Sequence, residues 1–182
     1  MSIVRYCVAM SIDGFIAAPD GSVDWLAPFS GDGGGFEEWV KGFGGLLMGR
    51  DSFEVEMSLH DWWYSNLPVA VMTHRPLTVQ PIGVRCFSGA VAPALTWLKS
   101  KMVSGDIWLF GGGRVAGQCL EAGLVDALEI AVMPIVLGQG RRLFDMPSAR
   151  TRLELVETAT SPSGVQSLTY RAPRVVGAAA AP

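Results

Sequence analysis

One stretch of the chain decides how the rest is interpreted, and it reads Ile107-Trp108-Leu109-Phe110-Gly111-Gly112-Gly113-Arg114-Val115. An apolar segment with the character of a β-strand runs into three glycines, and a helical pattern follows from Arg114 to Ala122. Glycine lets a ligand approach the main chain closely. The first turn of a helix offers unpaired N–H groups and the positive end of the helix dipole. The junction therefore favours a bound phosphate, although tight turns also use glycine.

Strand and helix patterns alternate on both sides of this junction. Strand patterns cover residues 3–10, 45–48, 68–72, 83–87, 106–110 and 125–133, and helix patterns cover 36–43, 93–101 and a segment from about 51. This alternation predicts an α/β fold with a mostly parallel central sheet and helices on both faces. Two final strand patterns, at about 152–159 and 165–171, flank the turn sequence Ser161-Pro162-Ser163-Gly164. They predict an antiparallel hairpin at one edge of the sheet.

Three of the predicted strands end in glycine or polar residues, namely Gly49-Arg50, Thr73-His74-Arg75 and Gly111-Gly112-Gly113. Ligands of parallel α/β sheets bind at the carboxyl ends of the strands. An isolated arginine is by default a solvated surface residue, and His74 suits an exposed loop as well as a phosphate contact. Because three predicted strands carry such residues at their carboxyl ends, which lie at the same edge of a parallel sheet, we favour a common binding site for an anionic ligand.

The composition of the 182 residues, 49% hydrophobic and 17% charged, is that of an ordinary globular protein. We expect one domain over residues 1–172 and a flexible tail over 173–182. A net charge of −3 without a Lys/Arg run argues against a nucleic-acid partner. No stretch has the length of a membrane span or the pattern of a signal peptide, so we expect a cytoplasmic protein. Three scattered cysteines and two histidines predict free thiols and no metal site.

The pattern Gly111-x-Gly113-x-x-Ala116 matches the dinucleotide-binding fingerprint, a weak signal by itself. A Rossmann domain also needs an acidic residue at the end of the next strand, followed by further βαβ units. Here the next strand ends in Ala131-Val132-Met133-Pro134, and too little chain remains. The Rossmann interpretation therefore fails. A Gly-x-Ser-x-Gly motif is also absent from the sequence, so covalent hydrolase chemistry has no support.

Six motifs follow one another in a specific order between about Ile3 and Arg171. They are Ser11-x-Asp13-Gly14-x-Ile16, Asp24-Trp25, Met48-Gly49-Arg50-x-Ser52-Phe53-Glu54, Gly111-Gly112-Gly113-Arg114-Val115, Gly123-Leu124-Val125-Asp126 and Pro134-x-x-Leu137-Gly138-x-Gly140-x-x-Leu143-Phe144. This ordered set resembles the dihydrofolate reductase-like superfamily. Within it, the chain is similar to the reductases related to the C-terminal domain of the riboflavin-biosynthesis protein RibD, mainly through the last motif.

The resemblance implies a dihydrofolate reductase-like fold that binds NADPH across the strand ends. Carried over by position, the main chain of Ala9 and Ile16 would hold the nicotinamide carboxamide. The pyrophosphate would meet Gly49, Arg50 and Ser52, and the 2′-phosphate would lie among Thr73, His74 and Arg75. The remaining cofactor contacts would come from the run Gly111, Gly112, Gly113, Arg114 and Val115. A cis peptide bond is expected between Gly111 and Gly112.

On the substrate side, the resemblance implies hydride transfer to a small, pterin- or pyrimidine-like heterocycle. Proton transfer could involve Asp13, Asp32 or Glu37, and the substrate could contact Trp25 and Phe36. Asp13 could equally serve an Asp-Gly turn. The spacing of Asp32 and Phe36 is similar to that of the acid and aromatic residue in folate reductases, whereas Glu37 could belong to a solvated helix face.

Two departures bear on the choice of substrate. Ala131 and Ala116 stand where folate reductases have a threonine and a tyrosine, which weakens the case for dihydrofolate. Reduction of 5-amino-6-(5-phosphoribosylamino)uracil in riboflavin biosynthesis is disfavoured because the sequence shows neither a deaminase domain nor a distinct cluster for a ribose phosphate. Both reactions stay open as alternatives, as does a non-catalytic nucleotide-binding module. The resemblance also implies a homodimer with residues 134–144 near the interface.

Overall fold

The computed structural model describes residues 2–32, 36–59, 64–145 and 150–173, without the side chains of residues 32, 36, 37 and 59. Its strands are β1 Val4–Ser11, β2 Phe15–Ala17, β3 Phe43–Gly49, β4 Val69–Met72, β5 Val84–Phe87, β6 Asp106–Gly111, β7 Ala127–Met133, β8 Arg141–Arg142, β9 Glu154–Thr160 and β10 Gln166–Arg171. The helices are α1 Phe36–Val40, α2 Arg50–Leu59, α3 Ala92–Lys101 and α4 Gly113–Glu121, with a 3-10 helix at Asp24–Asp32. Nearly all of the predicted tail, residues 174–182, lies outside the described residues.

Within the described ranges, eight strands form one sheet in the order β5-β4-β3-β6-β1-β7-β10-β9. Neighbouring strands from β5 to β7 are parallel, whereas β10 pairs antiparallel with both β7 and β9. The predicted α/β class and the antiparallel hairpin at one edge are therefore confirmed. β2 and β8 form a separate two-stranded sheet.

The central strand β1 contributes to the core on both faces of the sheet. Because successive side chains of a strand point to opposite faces, Tyr6 packs in the cluster that includes α3 and α4, and Cys7 packs in the cluster that includes α2. Ala94, Leu95 and Leu98 of α3 are buried, as their spacing predicts. Helices therefore cover both faces of the sheet, and the carboxyl ends of the parallel strands are left open.

The structure differs from the sequence-based prediction in the segments around β1 and α1. Residues 11–29, for which the sequence shows neither a strand nor a helix pattern, include β2 and most of the 3-10 helix. The helix expected over 36–43 ends at Val40, and Phe43 begins β3. The ring of Phe43 packs 4.7 Å from that of Trp39 and 5.4 Å from that of Trp108, measured between centroids. Burying the Phe43 ring against the sheet is more favourable than extending α1 by three residues, so the helix ends at Val40.

The start of α4 is packed closely against residues 141–145. A Cβ atom on Gly113 would overlap the carbonyl oxygen of Arg142. The amide of Asp145 donates a hydrogen bond to the carbonyl of Gly113 at 3.1 Å, and the hydroxyl of Tyr6 donates one to the carbonyl of Leu143 at 3.0 Å. The absence of a side chain at Gly113 lets this segment lie directly on the first turn of α4.

Candidate active site

A cleft with a volume of about 1070 Å³ opens at the carboxyl ends of the parallel strands. It is lined by residues that follow β3, β4 and β6 and by Cys7, Val8 and Ala9 of β1. The three strand ends that the sequence singles out thus meet at one site. Its wall has two chemically different regions: a basic end, rich in arginine, and an aromatic end, formed by aromatic rings.

The basic end contains the arginines of the cleft wall, Arg50, Arg75, Arg114, Arg141 and Arg142, together with His74. α2 begins directly after β3, and α4 begins two residues after β6 reaches Gly111. Val115 Cγ2 lies only 3.3 Å from the position a Cβ would take on Gly49, so the two helix starts are adjacent. Two positive dipole ends and unpaired N–H groups therefore open onto the same space, a suitable environment for a pyrophosphate.

Arg50 connects the first turn of α2 to the loop that follows β4. Its Nε donates to Glu54 Oε1 at 2.6 Å, and its Nη1 donates to the carbonyl of Pro76 at 3.0 Å. Within the loop, the hydroxyl of Thr73 donates to the carbonyl of Arg75 and accepts from its amide, at 2.7 and 3.1 Å. The main chain of residues 73–76 is therefore fixed, whereas the guanidinium of Arg75 has no ion pair with any described residue.

The peptide bond between Gly111 and Gly112 is cis, as the resemblance implies, and Gly111 has a φ of 139°. A Cβ at either position would lie 3.7 Å from the hydroxyl of Ser52. The main chain of the glycine run thus faces the first turn of α2 across the cleft. The hydroxyl of Ser52 is therefore close to the main chain of Gly111 and Gly112.

Two ion pairs at the basic end were not anticipated from the sequence. Arg141 of β8 pairs with Asp51 of α2, and Arg114 of α4 pairs with Asp145 at 3.9 Å. All four side chains line the cleft. β8 consists of two exposed residues, so no hydrophobic periodicity marks it in the sequence.

The aromatic end is formed by Tyr64, Trp108 and Phe110, together with Cys7 of β1 and Glu56 of α2. The ring centroids of Trp108 and Phe110 are 4.8 Å apart, and that of Tyr64 lies 6.3 and 6.0 Å from them. The indole N–H of Trp108 donates to the carbonyl of Cys7 at 3.1 Å. These contacts hold the rings as a wall that suits a flat heterocycle.

Glu56 and Tyr64 supply the polar atoms of the aromatic end. The hydroxyl of Tyr64 donates to Glu56 Oε2 at 3.4 Å. Burial, with the charge of Glu56 and this hydrogen bond, raises the pKa of the Tyr64 hydroxyl well above its usual value, so it stays protonated. Neither residue was among the sequence-based candidates. The sequence did contain a signal for Glu56. This residue follows the predicted cofactor contact Ser52 by four residues and therefore lies on the same face of α2.

A half-buried ion pair lies behind the aromatic end. Arg5 donates from Nε and Nη2 to both oxygens of Glu129, at 2.6 and 2.8 Å, and Trp39 Nε1 donates to the same carboxylate at 3.3 Å. The Trp39 ring lies 4.9 Å from that of Trp108. Burial raises the pKa of the Glu129 carboxyl, but the hydrogen bonds and charge of Arg5 and the bond from Trp39 outweigh it, so the net pKa is lowered.

Asp13, the first of the predicted proton donors, is exposed and does not line the cleft. Its carboxylate accepts hydrogen bonds from the amides of Leu137 and Gly138 at 3.1 and 2.7 Å. The hydroxyl of Ser11 and these two amides hold the pKa of the Asp13 carboxyl below its usual value. The structure therefore gives Asp13 a role in fixing the loop after β7.

Of the remaining residues predicted to contact or protonate the substrate, the structure describes the side chain of Trp25. The side chains of Asp32, Phe36 and Glu37 lie outside the described residues. Trp25 is 8% exposed, and its buried indole N–H has no hydrogen-bond acceptor in the described part of the chain. Its neighbours Val23 and Leu26 line the cleft. Of the predicted cofactor contacts, Ala9, Ile16, Gly49, Arg50, Ser52, Thr73, His74, Arg75, Gly111, Gly112, Gly113, Arg114 and Val115 all line it too.

Comparison with protein families gives a match over nearly the whole chain, since residues 2–167 match the RibD C-terminal domain. The chain belongs to the RibD C-terminal domain family. The resemblance inferred from the ordered motifs is thereby confirmed. Members of the RibD C-terminal domain family are reductases of heterocyclic substrates, which supports an oxidoreductase function. Among the described helices, none has both the length and the apolar character that crossing a membrane requires.

Individual proteins and solved structures are also similar to this chain. The uncharacterized protein YwjB of Bacillus subtilis (strain 168) is 31% identical over 161 residues, which cover 87% of this chain and 92% of YwjB. A crystal structure of a Shewanella sp. PV-4 protein named for riboflavin biosynthesis is 27% identical, with a TM-score of 0.80 and coverage of 96% of this chain and 100% of that chain. Dihydrofolate reductase from Enterococcus faecalis, solved with NADP(H), shares the fold at 22% identity, with a TM-score of 0.68 and coverage of 93% and 96%.

Proposed function

We propose that this protein is an NADPH-dependent reductase that transfers hydride to a small, pterin- or pyrimidine-like heterocycle. The observation that carries the proposal is the convergence of two helix N-termini and the Thr73–Arg75 loop on one cleft whose other end is an aromatic wall. Anion-binding groups and a stacking surface in a single cavity suit a dinucleotide beside a flat acceptor. The solved dihydrofolate reductase of the same fold binds NADP(H), which supports the choice of cofactor.

The residues of the basic end fit the phosphates of this cofactor. The N–H groups at the starts of α2 and α4 would meet the pyrophosphate, with Ser52 and the glycine run beside it. Arg75 would pair with the 2′-phosphate, because its planar guanidinium matches phosphate oxygens in a bidentate manner. The main chain of Ala9 and Ile16 would orient the carboxamide of the nicotinamide. When bound, NADPH supplies the hydride, and the protein fixes geometry and electrostatics.

The same proposal extends to the assembly of the protein. We infer a reductase domain over residues 1–172 that acts as a cytoplasmic homodimer, with residues 134–144 near the interface. The inference of a dimer rests on the family resemblance alone. Sedimentation velocity over a range of concentrations is the appropriate measurement, and a concentration-independent monomer of 19.4 kDa would contradict it.

The deciding experiment is a titration of the purified protein with NADPH and with NADH, followed by quenching of tryptophan fluorescence. We expect tight binding of NADPH and much weaker binding of NADH. Binding of neither would refute the reductase proposal. If NADPH binds, its oxidation at 340 nm is then followed with pterins, flavin precursors and other pyrimidines as acceptors. Binding without oxidation by any acceptor would favour the non-catalytic nucleotide-binding module.

A further inference from the structure

The β8 segment, residues 140–145, is held by backbone contacts on two sides. On one side, β8 pairs with β2, and the amide of Leu143 donates a hydrogen bond to the carbonyl of Gly14 at 3.1 Å. On the other side, the segment lies on the first turn of α4, where the amide of Asp145 donates to the carbonyl of Gly113 at 3.1 Å. The backbone that carries Arg141 into the cleft wall is therefore fixed.

Arg141 connects the β8 segment to two other parts of the cleft wall. Its Nη1 donates a hydrogen bond to Oδ2 of Asp51, in the first turn of α2. A Cβ on Gly21 would lie 3.6 Å from Nη2 and 3.7 Å from Nε of the same guanidinium, so the loop before the 3-10 helix is its second neighbour. Gly21, Asp51 and Arg141 all line the cleft. One cation therefore lies beside the start of α2, on a segment that is packed against the start of α4.

The ion pair between Arg141 and Asp51 is open to exchange with a ligand. The two side chains are 43% and 60% exposed, and one hydrogen bond joins them. Arg5 and Glu129, in contrast, share two hydrogen bonds and are half-buried. An exposed ion pair contributes little free energy because water screens its charges. A phosphate accepts two parallel hydrogen bonds from one guanidinium, so it would compete successfully with the carboxylate of Asp51.

The other ion pairs of the basic end do not join its two helix starts. Arg50 pairs with Glu54 one turn further along α2 and also donates to a backbone carbonyl. Arg114 pairs with Asp145, whose amide is bonded to the residue before Arg114. These two arginines are therefore paired within α2 and at the start of α4, respectively. Of the three pairs, that of Arg141 connects the α4 side of the basic end to the α2 side.

Asp51 lies where the start of α2 favours an anion. A carboxylate in the first turn of a helix is stabilised by the positive end of the helix dipole. The same dipole and the unpaired N–H groups beside it are what suit a pyrophosphate. Asp51 and a phosphate group are thus alternative anions for the start of α2 and for the guanidinium of Arg141.

From these contacts we propose that Arg141 is a further pyrophosphate-binding residue, and that Asp51 is the internal anion from which it separates when the pyrophosphate binds. This inference rests on the proposed reductase function, because the cofactor supplies the pyrophosphate. The exchange lowers the affinity by the free energy of the Arg141–Asp51 pair. It does not involve the 2′-phosphate, which distinguishes the role of Arg141 from that of Arg75.

Removal of the charge of Arg141 tests the new contact. Arg141→Gln should weaken NADPH and NADH binding by the same factor, about tenfold, because both cofactors lose one charge-assisted contact to the pyrophosphate that they share. Inorganic pyrophosphate should lose affinity by a similar factor. Binding of all three ligands would be measured by isothermal titration calorimetry on the intact protein. The matched control is Arg171→Gln, which breaks another exposed ion pair on a strand, with Glu154 at 3.1 Å, and should leave the three affinities unchanged.

Removal of the charge of Asp51 tests the exchange. Asp51→Asn should tighten the binding of NADPH and of inorganic pyrophosphate by about threefold, the strength of a weak exposed ion pair. In the Arg141→Gln background, most of that gain should be lost, because no guanidinium remains to be released. The control Glu154→Gln breaks the Arg171 pair from its acidic side and should have no effect on binding.

The outcomes separate this inference from the proposed function. If neither cofactor binds, the reductase proposal is refuted, whereas a tenfold loss of pyrophosphate affinity in Arg141→Gln would still support the Arg141 contact. If the cofactors bind but Arg141→Gln changes their affinities no more than Arg171→Gln does, Arg141 is not a pyrophosphate contact. A loss confined to NADPH would place Arg141 at the 2′-phosphate instead. Weaker binding in Asp51→Asn, or an undiminished gain in the Arg141→Gln background, would overturn the role of Asp51.

Discussion

At its basic end, the cleft is formed by main chain and exposed charges, whereas at its aromatic end it is formed by rings that belong to the core. The guanidinium of Arg75 stands free of ion pairs with described residues, on a loop fixed by Thr73. Trp108, in contrast, is 6% exposed and packs against Trp39, Phe43 and Phe110. The comparison teaches that ligand affinity and stability are separable at the exposed cationic side chains of the basic end, and coupled wherever the cleft wall is packed into the core.

The largest effect is expected where the basic end is itself tightly packed, at Gly113. Gly113→Ala places a Cβ against the carbonyl oxygen of Arg142, and backbone cannot move aside as a flexible side chain can. Overpacking of this kind costs about 2–3 kcal/mol. We expect that loss in the free energy of unfolding in urea, together with weakened NADPH binding. The control Gly31→Ala meets no atom within 4 Å and should change stability little. Equal stability of the two variants would contradict the packing described here.

Arg75→Ala tests the separation of affinity from stability most directly. It should weaken NADPH binding by about 1–3 kcal/mol through loss of a charged hydrogen bond, and leave NADH binding nearly unchanged. The free energy of unfolding should stay within about 0.5 kcal/mol, as for most exposed positions. Fluorescence titrations with both cofactors check the first statement. Arg152→Ala, an exposed arginine away from the cleft, is the control. Equal losses for NADPH and NADH would exclude Arg75 as the 2′-phosphate contact.

Glu129→Gln probes the support behind the aromatic end. Removing one partner of this half-buried pair should cost about 1–2 kcal/mol at pH 7, less than the loss seen for fully buried pairs. Because the folded-state pKa of Glu129 is lowered, its contribution is present above the unfolded pKa of about 4.3 and is lost as the pH falls through the folded pKa. Urea unfolding of both proteins between pH 3 and 8, a range chosen around the ~4.3 reference value, tests this. A difference that persists undiminished at low pH would argue against it.

The smallest expected effect compares two buried tryptophans. Trp108→Phe breaks the hydrogen bond to the carbonyl of Cys7, whereas the indole N–H of Trp25 bonds to no described acceptor. Both substitutions remove similar volume, so Trp108→Phe should cost about 1 kcal/mol more than Trp25→Phe in unfolding free energy. The reverse order of stabilities would show that the Trp25 indole is held within the protein.

The same difference between the ends explains what could be predicted from the sequence. The basic end depends on strand ends, glycines and helix starts that are close together in sequence, so Gly49, Arg75 and the run Gly111–Gly113 could be named from their motifs. Core strands were predictable for a similar reason, because alternation and apolar runs mark β1 and β6. Patterns of residues that are close together in sequence therefore predict the course of the backbone well.

The aromatic end depends on contacts between residues far apart in sequence. Tyr64, Trp108 and Cys7 meet only because β1 pairs with β6 and Tyr64, from a distant part of the chain, packs into the same cluster. Phe43 shows the same effect, since tertiary packing decides that it begins a strand. Asp13 is a further example. Its local Asp-Gly pattern does not show that its carboxylate accepts hydrogen bonds from the amides of Leu137 and Gly138, more than 120 residues away.

The position of β1 in the sheet has a consequence for how the chain is made. Its residues Val4–Tyr6 pair with Ile107–Leu109 of β6, and Arg5–Ser11 pair with Ala127–Met133 of β7. β1 is therefore synthesised long before its two neighbours, and it acquires both of them only after residue 133 has been made. Folds dominated by such distant pairings fold slowly, and an unpaired apolar strand is prone to aggregate in the meantime. Successful folding of this domain thus depends on keeping β1 from aggregating until its neighbours are made, as well as on the stability of the finished sheet.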